Sequence, residues 1–246
     1  MSRPFDLLVR SAGTLFTSDG PDEGSAEQLL APIPRGAVGI QDAHVAWIGA
    51  EGDVPRESIG PSTKVLDAGG GLVAPGFVDS HTHLVWAGDR SHEFALRCAG
   101  ADYLSIGRAG GGIASTVRAV REASDETLLS LALSRLQRLL AQGVTTAEVK
   151  SGYGLDAETE LRMLRVIDLL GSRQPIRLLR TFLWPHAMPP GSTDRAGFLA
   201  RGRKVLHEIA RAGLARFADA FVEEGAFSPD EVRPLLEEAR LSLIHI

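Results

Sequence analysis

The apolar positions of the chain follow two rhythms. Up to about Asp67 they come in short runs, "DLLVRSAG" from Asp6, "GAVGIQDAHVAWIGA" from Gly36 and "TKVLDAGG" from Thr63, parted by Gly, Pro and Asp. Short apolar runs bounded by turn residues predict strands, and the polar step Gln41-Asp42-Ala43 between two of them predicts a hairpin. Residues 18–36, with "SDGPDEGS" and "PIPRG", predict a loop. From Gly71 the rhythm changes to strand followed by helix. "LVAPGFVD", "VTTAEVKS", "IRLLRTFLW" and "FADAFVEE" predict four strands. The last three each precede an amphipathic stretch with acidic or N-capping residues at its start. The first two helices, "DETLLSLALSRLQRLLAQG" and "DAETELRMLRVIDLLGS", are expected to close on Gly143 and Gly171; the last, "SPDEVRPLLEEAR", opens on Ser228 as N-cap with Pro229 at the first helical position.

Strands alternating with helices predict parallel βα units. Four of them fit between Gly71 and Arg240, whereas a closed barrel of eight needs about 250 residues on its own. The chain of 246 residues therefore has room for a small β-rich unit and roughly half a barrel.

Parallel α/β folds gather their chemistry at the carboxyl ends of strands. Strand one ends in His81-Thr82-His83, strand two leads into Lys150 and Tyr153, strand three into His186, and strand four into Glu223 and Glu224. His81 and His83, two residues apart, point to one side of a strand, where neutral imidazoles suit a divalent ion. The plainer alternative is a pair of satisfied histidines in a loop. His186 is a candidate for substrate contact or a loop residue. His44, in the hairpin, and His207, on a helix face, read as surface positions, and His92 as tuning the loop around Arg90. A guanidinium at Arg90 can clamp a carboxylate through two parallel hydrogen bonds, although most loop arginines are merely solvated. "AGGGIAS" lacks the lysine of a phosphate loop and the spacing of a dinucleotide fingerprint, so nucleotide binding is not expected.

Composition narrows the classes further. Hydrophobic residues make up 44% and charged residues 23%, with a net charge of -5 and acids and bases interspersed, so there is no basic footprint for nucleic acid or anionic lipid. Cys98 is the only cysteine, which rules out an intramolecular disulfide and a cysteine-rich metal cage. No stretch is apolar enough to span a membrane, and a cytoplasmic protein is expected.

"PGFVDSHTH" resembles the first strand of the amidohydrolase superfamily, metal-dependent hydrolases on a (β/α)8 barrel beside a small β-sandwich. "HTHLVWAGDRSHEF", "GGGIASTVRAVREAS", "GVTTAEVKSGYGLDAETELRMLRV", "TFLWPHAMPP" and "FVEEGAFS" narrow the resemblance to the imidazolonepropionase family. It implies an α/β fold: the barrel truncated after about four βα units (residues 70–240), preceded by the N-terminal part of the sandwich (1–69). It makes His81 and His83 ligands of one zinc or iron ion, and Arg90, Tyr153 and His186 substrate-binding residues, Arg90 for a propanoate carboxylate. The implied reaction is hydrolysis of the cyclic amide of 4-imidazolone-5-propanoate to N-formimino-L-glutamate in histidine degradation. Its nucleophile would be a metal-bound water with a pKa reduced to about 7. A homodimer is also implied. The alternatives are another cyclic-amide hydrolase or deaminase of the superfamily, or a non-catalytic half-barrel that binds a partner. The chain departs from the family pattern at Trp184-Pro185 and at Val222, and the third histidine ligand and the aspartate that the family takes from later strands are not in it. A chain of this extent is expected to be inactive.

His245 sits near where strand five should end, but "LSLIHI" lacks the polar residues that follow that histidine in the family. Those six residues are encoded in frame by a common transposon-end sequencing adapter, so residues 241–246 are expected to be a non-native tail. The nucleotide sequence after codon 240 tests this: adapter bases are expected, and ordinary coding sequence in other codons would contradict it.

Overall fold

The polar step at Asp42 and Ala43 closes a hairpin. Both residues take left-handed backbone angles, φ 50° and 61°, as a two-residue turn matched to the twist of its strands requires. The computed structural model describes residues 3–21, 23–108, 110–242 and 244, without the side chains of 103, 104 and 108. His245 lies outside the described residues. The chain divides into two units, Met1–Gly76 and Phe77–Ile246.

In the first unit, β1 (Leu7–Arg10), β2 (Thr14–Phe16), β3 (Pro32–Pro34), β4 (Gly36–Gln41), β5 (His44–Ala50), β6 (Lys64–Asp67) and β7 (Leu72–Val73) form two sheets, ordered β5-β4-β1-β6 and β3-β2-β7. Phe5, Leu8 and Ala37 make a small core. Gly39 is needed there, because a Cβ would lie 2.5 Å from the Phe5 ring. The expected loop over 18–36 is more ordered than its composition suggests. Ser25 and Gln28 form a reciprocal capping box that starts helix α1 (Ala26–Leu30). The two prolines of β3 are tolerated because that strand lies at a sheet edge.

The apolar run from Leu72 is also not one strand. It breaks at Ala74-Pro75-Gly76, so that β7 joins the first unit and β8 (Phe77–Thr82) opens the second. Three helices follow, α2 (Ser91–Cys98), α3 (Tyr103–Arg108) and α4 (Ile113–Glu122), and then the regular alternation of α5 (Asp125–Ala141), β9 (Val144–Lys150), α6 (Ala157–Gly171), β10 (Arg177–Phe182), α7 (Arg195–Ala212), β11 (Phe217–Ala218) and α8 (Pro229–Leu241). The four strands pair in parallel in the order β11-β10-β9-β8, a sheet that curls as half a barrel.

Caps place the helices where the pattern predicts. Ser124, Asp156, Asp194 and Ser228 accept backbone N–H bonds at the starts of α5, α6, α7 and α8. Gly143 and Gly213, at φ 86° and 62°, terminate two of them. Gly171 does not act this way; it is the last residue of α6, and Ser172 ends the helix in a right-handed conformation. α5 to α8 lie side by side as successive neighbours. Ala147 and Val149 of β9 join Leu136, Leu164 and Ile167 in the apolar core between sheet and helices.

Two strands differ from expectation. β8 comes from an apolar run, which suggests burial, yet Phe77 and Val78 are 64% and 66% exposed, because β8 is an edge strand paired on one side only, with β9. The fourth strand is shorter than "FADAFVEE" suggested. After Ala218 the chain leaves the ladder, its Phe221 N–H bonding Pro185 O at 2.9 Å.

Ile167 is fully buried in α6. Ile167→Ala is expected to lower the unfolding free energy by about 2–5 kcal/mol in denaturant titration, and a loss below about 1 kcal/mol would contradict this packing.

Candidate active site

The parallel register carries the carboxyl ends of β8, β9 and β10 to one rim. The β8–β9 register shifts between Phe77 and Val78 and again between Asp79 and Thr82, and such irregularities re-aim side chains. His81 and His83 leave this segment with ring centroids 5.7 Å apart. The His83 ring stacks on His186 at 4.9 Å with an interplanar angle of 11°. Tyr153 lies 4.8 Å from His83 and 5.3 Å from His186. Four of the five side chains expected at the site therefore form one aromatic cluster.

His186 is fixed by its Nδ1, 2.8 Å from Gly152 O. A carbonyl only accepts, so the ring proton sits on Nδ1 and Nε2 presents a lone pair. The departure at Trp184 is absorbed below the rim: its indole N–H donates to Phe198 O at 3.0 Å. A Cβ at Gly202 would lie 2.4 Å from that ring, so the glycine makes room for the tryptophan.

Arg90, Tyr153 and His186 line one cavity of about 310 Å³, with Met188 and Phe221 among its apolar walls. Arg90 precedes α2, and His92 lies on that helix rather than in a loop. The guanidinium already has a partner. Its Nε and Nη2 each lie 2.8 Å from Glu93 Oε2, while Glu93 Oε1 accepts the Gly112 N–H at 2.9 Å. Burial pushes the Glu93 carboxyl up, but the bonds from Arg90 and Gly112 outweigh it and hold the pKa below its ordinary value. Glu93 thus ties Arg90 to the glycine-rich turn before α4.

Behind the cluster lies a polar layer on the face of β9 opposite its apolar core. Lys150 Nζ is 2.6 Å from Glu148 Oε1 and 2.9 Å from Asp219 Oδ2, and the Thr181 hydroxyl donates to Glu148. Burial works to lower the Lys150 pKa, but the bonds to Glu148 and Asp219 outweigh it and raise it. This fixed positive charge acts on the histidines. Burial first, then His186, His81 and Lys150, lower the His83 pKa to about 3, and burial also lowers that of His186. Both rings are neutral at pH 7, the form in which imidazole binds metal.

Among the described residues no group of three or more His, Cys, Asp or Glu side chains is placed to hold a metal ion. What is present nevertheless fits part of such a site. His83 Nδ1 is a buried nitrogen without a hydrogen-bond partner, and a buried unsatisfied polar atom is costly. A bound cation would satisfy it, with His81 alongside.

Glu223 and Glu224, expected at the strand-four rim, are exposed in the segment after β11. Asp219, the residue after β11, makes the contact with Lys150 instead. Glu93, Glu148 and Glu160 are polar residues that the strand-end pattern does not single out. Two had a visible signal: Glu148 shares a strand face with Lys150, and Glu160 stands in the helical register of the buried Met163, Leu164 and Ile167. His44 and His207 are exposed, as expected.

No protein-family model matches the chain. It is 52% identical over 237 residues to the imidazolonepropionase of Myxococcus xanthus, covering 96% of this chain and 56% of that protein. It is 50% identical over 245 residues to that of Anaeromyxobacter dehalogenans strain 2CP-C, covering 98% and 56%. The chain is a relative of the imidazolonepropionases. It spans little more than half the length of these curated relatives. Among solved structures it is similar to 5-methylcytosine deaminase from Klebsiella pneumoniae, with a TM-score of 0.60 at 16% identity over 96% of this chain and 49% of that one. It is also similar to atrazine chlorohydrolase from Arthrobacter aurescens, complexed with zinc, with a TM-score of 0.56 at 14% identity over 95% and 50%. These similarities show the fold: about half of an amidohydrolase-type barrel.

Removing the ammonium from the polar layer strands two carboxylates. Lys150→Met is expected to cost about 3 kcal/mol in urea unfolding, and adding Glu148→Gln should recover part of it. A single variant within about 0.5 kcal/mol of the parent would contradict the pairing.

Proposed function

We propose that these residues serve imidazolonepropionase activity, the hydrolysis of 4-imidazolone-5-propanoate to N-formimino-L-glutamate. The observation that carries the reading is the meeting of Arg90, Tyr153 and His186 in one cavity, beside His83 and His81, in a chain 52% identical to a protein of that name.

The residues divide the work. Glu93 occupies the Nε side of Arg90, which leaves the outer edge of the guanidinium for the propanoate carboxylate. His186 Nε2 can accept the N–H of the substrate ring, and Tyr153, between His83 and His186, packs against it. Zinc or iron held by His81 and His83 supplies, when bound, Lewis-acid activation of water and of the ring carbonyl. Water adds to the carbonyl carbon, the ring C–N bond breaks, and the released nitrogen takes a proton. The apolar cavity wall keeps other water away from the reacting ring.

Among the described residues no helix is long and apolar enough to cross a membrane. A cytoplasmic homodimer acting on a small molecule, without nucleic acid or membrane as partner, completes the proposal; light scattering on the purified protein checks the dimer. The sandwich portion, expected over 1–69, takes in β7 and reaches Gly76, the half-barrel, expected over 70–240, begins at Phe77, and the tail is residues 241–246.

The protein encoded by the complete reading frame, offered imidazolonepropanoate, dihydroorotate and guanine, is expected to open only the first. Preference for either of the others would overturn the proposal. Arg90→Ala should raise KM, since each charge-assisted bond lost is worth roughly 1.5–3 kcal/mol, and an unchanged kcat/KM would exclude the clamp. His81→Ala and His83→Ala should each lose bound metal together with turnover; a full equivalent of metal in either variant would remove that histidine from the site.

A further inference from the structure

Glu160 is fully buried at the start of α6, although that helix already has a cap in Asp156, which accepts the Thr159 N–H at 2.8 Å. Its carboxylate serves the preceding loop instead. Oε2 accepts the Gly152 N–H at 2.8 Å, and Oε1 accepts those of Gly154 at 2.7 Å and Leu155 at 2.9 Å. The Ser151 side chain also hydrogen-bonds the carboxylate. The loop is held in a conformation that it would not adopt cheaply alone: Leu155 has φ 56°, uncommon for a bulky residue.

Two routes lead from this carboxylate to the cavity. Tyr153 sits inside the clamped segment, between the two glycines whose N–H groups are bound. His186 is reached from both sides: Gly152 O fixes its Nδ1, and Ser151 Oγ accepts the N–H of Leu183 at 3.1 Å. A Cβ at Gly152 would lie 2.8 Å from His186 Nδ1, so the loop and the histidine ring have no slack between them. A buried carboxylate is expensive unless its bonds are filled. Here backbone donors fill them, and the ordered product is the wall of the cavity.

We propose that Glu160 is a positioning residue for the substrate pocket, setting Tyr153 directly and His186 through the Gly152 carbonyl and the Ser151 hydroxyl. The role in turnover rests on the imidazolonepropionase reading; the structural role does not.

The test uses the protein encoded by the complete reading frame. Glu160→Gln replaces one acceptor oxygen with a donor facing backbone N–H groups. KM for imidazolonepropanoate should rise about tenfold, with kcat changed less than about threefold, the pattern of lost ground-state positioning. Leu170→Ala, buried ten residues further along α6, is the stability control: it should lower Tm at least as much and leave KM unchanged. Amide hydrogen exchange reads the same claim without substrate, because Gly152, Gly154, Leu155 and Leu183 should lose protection in E160Q and keep it in L170A. If E160Q does not fold, Ser151→Ala, which removes the hydroxyl's bonds to Leu183 and Glu160 but leaves the three backbone bonds of the carboxylate, should expose the Leu183 amide and raise KM by a smaller factor. Unchanged KM and exchange in E160Q, or the same changes in L170A, would overturn the proposal. So would an unaltered S151A where E160Q fails to fold. Wild-type protein without turnover would overturn the functional reading alone, and the exchange comparison would still decide the role of Glu160.

Discussion

Everything at the candidate site depends on the parallel hydrogen-bond ladder that pairs β8 with β9, β9 with β10 and β10 with β11. Parallel pairing stacks strand ends of like polarity, so segments far apart in sequence deliver side chains to one rim. Lys150 stands opposite Thr181, and Phe182 opposite Ala218. The segments carrying His83, Tyr153, His186 and Asp219 leave the sheet within two residue pairs of each other's level. The helices pack their apolar stripes on one face, which leaves the other free for charge.

That second face is where the chemistry is tuned. Lys150, held between Glu148 and Asp219, is a positive charge that a low-dielectric interior barely screens. Together with burial it keeps the neighbouring imidazoles neutral. Glu93 and Glu160 are of a different kind: buried carboxylates that face backbone N–H groups, each fixing a loop that carries a cavity residue. Acidic groups thus do most of the orienting, and basic and aromatic groups are presented to the cavity.

The parts of this arrangement that were legible in the sequence are local. Helix starts were visible as Ser228-Pro229 and as the acidic first turn of α5, and the hairpin as its polar step. His81-Thr82-His83, Tyr153 and His186 stood out because each follows an apolar run that must be a strand. What stayed hidden depends on contacts distant in sequence. The division of the Leu72 run between two units depends on which strand each half finds as partner. The exposure of Phe77 and Val78 follows from the edge position of β8. The apolar pattern points to Glu223 and Glu224 rather than Asp219 because it extends the strand six residues beyond Ala218, where β11 ends. Gly171 looked like a helix terminator, yet only the backbone angle distinguishes it from Gly143.

The central claim is that His81 and His83 hold a divalent metal at the rim where Arg90, Tyr153 and His186 meet. Anomalous diffraction from crystals of the protein encoded by the complete reading frame, grown with zinc or iron, tests it most directly. The account predicts one strong peak within coordination distance of both imidazoles. A peak elsewhere, or none beside histidines that hydrogen-bond only to protein, would contradict it.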